Sequence, residues 1–152
     1  MKAISLLQPW ASLVAIGAKK IETRSWDAKY RGPLAIHASK GFPKVVKELC
    51  WGEPFRSTLL KHGYLMSFCN MPFGAIVATC RLVDCKQIQI TVKDDKICNP
   101  QNLSVKERAF GNYTPFRYAW ILEDIKPLPE PIPAKGHQGL WNWEPPEGVQ
   151  YG

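Results

Sequence analysis

Metal sites and disulfide frameworks are what this sequence most plainly lacks. Its five cysteines, Cys50, Cys69, Cys80, Cys85 and Cys98, are odd in number and include no C-x-x-C pair. Cys80 and Cys85 enclose four residues, but no histidine stands beside them to complete a zinc site. The three histidines, His37, His62 and His137, are scattered, and no two have metal-ligand spacing. The reading is of reduced thiols, no metal and no cofactor. No apolar run approaches the roughly 20 residues of a membrane span. The opening MKAISLLQPW carries one lysine and an apolar stretch broken by Gln-Pro, which does not make a signal peptide. A cytoplasmic location away from membranes is expected. A glycine-rich phosphate loop, a dinucleotide-binding fingerprint and a nucleophile elbow are also absent. So are repeats, low-complexity tracts and linkers, and the chain reads as a single domain, residues 1–152.

Positive charge and aromatic rings are what the sequence does have. Lys and Arg outnumber Asp and Glu by 20 to 13, giving a net charge of +7 and an isoelectric point near 9.2. That balance favours polyanionic partners. Six tryptophans and five tyrosines accompany it, and cationic side chains mixed with aromatics are what single-strand nucleic acid binders use, because every base offers a face for stacking.

Periodicity gives the elements. Met1 to Leu7 reads as an entering strand and Gln8 to Gly17 as a helix that starts at Pro9 and stops at Gly17. Lys20 to Trp26 alternates, with Ile21, Thr23 and Ser25 on one face and Lys20, Glu22, Arg24 and Trp26 on the other. Pro33 to Ser39 is a largely buried strand, and short helices follow around Val45–Leu49 and after Pro54. Gly74 to Ile88 and Arg117 to Ile125 are strong strands, with a polar loop from Thr91 to Ser104 and a helical turn or two over Ser104–Gly111 between them. Pro127, Pro129, Pro131 and Pro133 force an extended run that cannot be a central strand. Strands of mixed length with a few short helices predict a small α+β or barrel-like fold.

The stretch SLLQPWASLVAIGAKKIETRSW, followed by YRGPLAIHASK, resembles the signature of the ASCH domain, named for activating signal cointegrator homology. Gln8, Pro9 and Trp10 match its Q-P-W/Y. Gly17, Lys19, Ile21, Glu22 and Arg24 match G-x-K-x-[IV]-E-x-R, and Trp26, Arg31 and Gly32 match the residues after it. GAIVATCRLVDC, ERAFGNYTPFRYAWILED and GLWNW extend the resemblance over nearly the whole chain and are similar to the bacterial and phage branch. The resemblance implies a PUA-like fold, a small mixed β-barrel with short helices packed around it, and a charged cleft between the first helix and the strand that follows. It implies binding of single-stranded RNA or a nucleotide or nucleoside, with DNA as a further partner. One short bacterial group of the family hydrolyses N4-acetylcytidine with a Lys, a Thr and a Glu. Its Lys matches Lys19, but Glu22 stands where it has Thr.

The candidate site residues follow from that stretch and from the later aromatic segment. Lys19 and Glu22 are the candidate catalytic pair, a lysine beside a carboxylate being a workable acid and base. The motif singles out Lys19, whereas strand alternation points to Lys20; Lys19 is taken for the cleft. Arg24 offers a planar fork to a phosphate, and Glu22 an acceptor to a base amine. Gln8 can cap the helix or read a base edge. Trp10 reads as core packing or as a ligand contact, and Trp26 as the better stacking platform. Arg31, Tyr113, Arg117 and Tyr118 are further ligand candidates, with Glu107 as a second carboxylate. His37, inside the apolar LAIHAS, reads as a satisfied core or barrel-lining histidine rather than a catalyst. Binding is the first reading. A hydrolase acting on a modified nucleoside or on RNA is the second, and a protein-interaction module in transcription or RNA metabolism the third.

Overall fold

The computed structural model describes residues 1–64, 67–91, 96–98 and 103–148. Its elements are β1 (Lys2–Leu6), α1 (Trp10–Ala15), β2 (Ile21–Arg24), β3 (Gly32–Ala38), α2 (Lys44–Leu49), α3 (Phe55–Lys61), β4 (Ala75–Gln87), β5 (Gln89–Thr91), β6 (Lys96–Cys98), α4 (Val105–Phe110), β7 (Tyr118–Pro133) and β8 (Leu140–Asn142). Six strands form one mixed sheet in the order β2-β7-β4-β3-β1-β8, and β5 and β6 form a separate hairpin. That hairpin replaces part of the polar loop expected over Thr91–Ser104; residues 92–95 and 99–102 of the loop lie outside the described residues. β1 runs parallel to β3, and the other pairings of the main sheet are antiparallel.

β4 and β7 are long, and their register shifts between Ile76 and Ala78, Thr79 and Arg81, and Leu82 and Asp84. Bulges of this kind bend strands and raise the local twist, so the sheet curls into a half-barrel. The proline run is extended and lies inside β7. β2 pairs with β7 only over Tyr118–Ile121, so the proline half has β4 on one side and no strand on the other. There a missing N–H costs no second ladder bond.

Helix α1 fills the mouth of the curl. Ala11, Val14 and Ala15 pack on the sheet with Ile36, Ala78 and Trp120. Leu13 points the other way, into a second cluster with Phe55, Leu59 and Phe110 from α3 and α4. One short helix thus joins two cores, and Leu13→Ala should cost about 2–5 kcal/mol. The helix ends where Gly17 takes φ 77°, the left-handed conformation that glycine adopts without strain. The turn that follows delivers the chain into β2.

Candidate functional site

β2 obeys its alternation. Ile21 and Thr23 are buried, while Glu22 and Arg24 are only partly covered. Those two side chains face the gap between β2, at one edge of the sheet, and β1, near the other. Arg24 spans the gap: its Nη2 donates to the Ser5 carbonyl at 2.7 Å and lies 3.5 Å from Glu22 Oε2. Its Nε is buried without a hydrogen-bond acceptor. Arg117 braces β2 from the other side, donating to the Thr23 carbonyl at 3.1 Å and the Asn112 carbonyl at 3.2 Å.

Two adjoining cavities open along this seam and share Ser5, Arg24 and Ser39. The larger, about 1310 Å³, is lined by Arg24, Lys40 and Lys135, by His37 and His137, and by Trp26 and Phe73. No Asp or Glu among the described residues lines it. The smaller, about 500 Å³, is walled by Trp10, Phe55 and Phe110 and carries Glu22, Arg24 and Arg117.

The loop after β7 forms one bank of the larger cavity and is pegged to its floor. His37 Nε2 donates to the Ala134 carbonyl at 2.7 Å. A carbonyl can only accept, so the ring proton sits on Nε2, and Nδ1 accepts from the Ser5 hydroxyl at 3.0 Å. The Trp141 indole donates to the same hydroxyl at 3.1 Å. Gly136 lies so close that a Cβ there would stand 2.6 Å from His37 Cε1 and 2.8 Å from Ser5 Oγ. Burial holds the His37 pKa below its ordinary 6.5, against the pull of the Ala134 carbonyl, with His137 adding to the lowering. The sequence reading of His37 as a satisfied lining histidine matches this geometry.

Lys19 does not line the cleft. It is wholly buried and its Nζ donates to the Ile21 carbonyl, because the turn after Gly17 folds its side chain back beneath β2. Lys20 is exposed and lines neither cavity. Burial lowers the Lys19 pKa from 10.5, opposed by the nearby carboxylates of Glu22 and Glu107. Glu107 is spent on backbone: it accepts from Lys20 N at 3.0 Å and from Ile21 N at 3.0 Å, while its own N–H is capped by Ser104 Oγ. It anchors the start of β2 rather than serving as a second carboxylate in the cleft.

The other candidates divide by their surroundings. Gln8 is wholly buried; its amide donates to Ser12 Oγ at 2.8 Å and to the Pro72 carbonyl at 2.7 Å, and accepts from Ser12 N at 3.0 Å. It takes the capping role and has no edge left for a base. Trp10 donates to the Phe110 carbonyl at 2.8 Å and presents a wall to the smaller cavity. Trp26 packs edge-on against Trp120, ring centroids 4.7 Å apart, and lines the larger cavity. Arg31 lies away from both cavities, donating to the Ala28 carbonyl at 2.7 Å and facing Asp84 at 3.8 Å. Tyr113 is buried with Ile21 and Ile88, and burial with the nearby Glu107 and Glu22 raises its pKa. Tyr118 packs against the main core. Arg31, Tyr113 and Tyr118 therefore leave the site.

Sequence reasoning missed the opposite bank: Ser5, Ser39, Lys40, Phe73, Lys135 and His137. One signal was available, the basic, glycine-flanked turn AKGHQG directly after the proline run. Among the described residues, no three His, Cys, Asp or Glu side chains gather as a metal site, and no helix is long and apolar enough to cross a membrane.

Comparison with known proteins adds the family. A family model for the ASCH domain matches residues 4–128. Activating signal cointegrator 1 of Mus musculus is 37% identical over 125 residues, which cover 72% of this chain and 21% of that protein. The Homo sapiens protein of the same name gives the same identity and coverage. The chain thus spans about a fifth of the length of these curated relatives. The crystal structure of ASCH from Zymomonas mobilis is similar with a TM-score of 0.52 at 16% identity, over 94% of this chain and 87% of that one, a likeness of fold.

Proposed function

This chain belongs to the ASCH domain family, with its α+β PUA-like fold, and on that premise we propose that it binds single-stranded RNA, or a nucleotide, along the seam of the half-barrel. One observation carries the reading. Arg24, Lys40 and Lys135 line the larger groove, and no Asp or Glu among the described residues lines it with them, Glu22 meeting Arg24 from the adjoining cavity. A cavity with one sign of charge and low-dielectric walls concentrates counter-ions of the other sign. The groove is open and, at about 1310 Å³, exceeds the range of about 300–1,000 Å³ typical of small-ligand sites, room that a polymer backbone can use. Trp26 and Phe73 supply apolar surface for bases or sugars.

The hydrolase reading is weaker. Of its two candidate catalytic residues, Lys19 is buried and lines neither cavity, and its ammonium is spent on the Ile21 carbonyl. Fluorescence anisotropy with a labelled single-stranded RNA tests the binding reading. Binding is expected at low salt and should weaken steeply as salt rises, with a slope that counts the neutralised phosphates. No binding to RNA at low salt overturns it.

A further inference from the structure

The two cavities of the seam differ in chemistry as well as in size. The larger is cationic and carries no carboxylate among the described residues, whereas the smaller has apolar walls and places Glu22 among them. Arg24 and Arg117 line the smaller one as well, so its charge is mixed, and Glu22 offsets part of their pull on a phosphate. An uncharged, flat, polar-edged group meets both donors and an acceptor there.

Glu22 has acceptor capacity to spare. Its Oε1 accepts from Thr23 N at 2.9 Å, but the near neighbour of Oε2 is Arg24 Nη2 at 3.5 Å, beyond ordinary hydrogen-bond length. Arg24 Nε is a donor without an acceptor. An unspent acceptor and an unspent donor therefore stand side by side on one face of β2. Glu22 Oε2 makes one long ion pair with Arg24 and can accept a shorter bond, and a buried guanidinium nitrogen is costly to leave without an acceptor. The Watson–Crick edge of an unpaired base carries the complement, an N–H beside an acceptor. The cavity volume of about 500 Å³ falls within the range of small-ligand sites.

We propose that this smaller chamber takes one unstacked base of the bound strand, edge-on, with a base N–H donated to Glu22 Oε2 and the base lying against Trp10. The inference rests on the binding reading above. The phosphates remain in the larger groove, and the strand turns inward where the cavities meet, at Ser5, Arg24 and Ser39. Every base has an N–H beside an acceptor on that edge, so the chamber selects an unpaired base rather than a sequence.

Three strands of equal charge test this: a short oligouridylate, the same strand built from N3-methyluridine, and a strand of abasic ribose analogues. The methylated strand has lost the N–H, and the abasic strand has lost the base. Each is expected to bind about tenfold or more weakly than oligouridylate. Equal affinity for all three overturns the base chamber and leaves the anionic groove standing, whereas no binding of any strand overturns the binding reading itself. A Glu22→Gln variant keeps the shape of the side chain and removes its charge. Its preference for uridine over N3-methyluridine should shrink to about threefold or less, and an unchanged preference overturns the role of Glu22. The strand comparison is made on the unaltered protein, so it stands even if the variant folds poorly.

Discussion

Arg24 of β2 donates to the backbone carbonyl of Ser5 in β1 at 2.7 Å, although β7, β4 and β3 lie between those strands in the sheet. The bond is therefore a clasp across the open side of the half-barrel, and both cavities meet at it. Arg24→Ala should lower stability by about 1.5–3 kcal/mol, the range for a hydrogen bond from a charged donor, and should abolish most RNA binding. Arg24→Lys keeps the charge but not the fork, and should recover part of the binding and little of the stability. Thermal unfolding and anisotropy titration read the two effects separately.

Lys40 and Lys135 are exposed and both line the larger groove. Their alanine variants should unfold within about 0.5 kcal/mol of the parent. Each should weaken binding uniformly across sequences and reduce the salt slope by about 1. A salt series on each variant and on the double variant checks this.

Gly136 has no room for a side chain. Gly136→Ala would drive a methyl group into His37 and Ser5, so the loop must shift. A loss of about 1–3 kcal/mol is expected, as for overpacking. Because the loop carries Lys135 and His137, RNA affinity should fall as well. A structure of the variant would show the loop displaced and β1 and β3 in place.

His37 titrates below its ordinary 6.5 in the folded protein, mainly through burial. At pH near and just below 6.5 the unfolded chain then holds more protons than the folded one, so stability rises with pH. The contribution is complete above 6.5 and is lost as pH falls from there toward the lowered folded pKa. His37→Gln should flatten that limb in urea unfolding measured from pH 5 to pH 8.

Lys19 behaves alike at the alkaline end. Burial depresses its pKa from 10.5, with Glu22 and Glu107 opposing. The unfolded chain holds the extra proton between the folded pKa and 10.5, and stability should climb with pH over that window. Tyr113, whose pKa is raised, acts in the opposite sense at higher pH, so the difference between the parent and Lys19→Met is the quantity to follow. The parent's slope minus the variant's should be positive between the lowered folded pKa and 10.5.

The local pattern was legible in the sequence. The separation of Ile21 and Thr23 from Glu22 and Arg24 is a property of a strand's two-residue period, and the structure keeps it. The helix stop at Gly17, the long β-branched strand and the extended proline run depend on neighbouring residues alone, and they appear where the residues put them. The strand that carries the family motif lines both cavities through Arg24. Arg31, Tyr113 and Tyr118 line neither cavity, because residue type shows what a side chain can do and not which way a curled sheet turns it.

The sequence by itself determined the elements, the burial of their apolar faces, the cationic balance and the family, because propensity, periodicity and motif are written within a few residues of each position. Only the tertiary structure decided that Ser5 meets Arg24, that the AKGHQG turn forms the far bank of the groove, and that Lys19 is enclosed while Glu22 is left with an open acceptor. Those relations span tens of residues along the chain. They follow from the strand order and from the bulges that bend β4 and β7, and the curl those bulges produce brings the two ends of the sheet together.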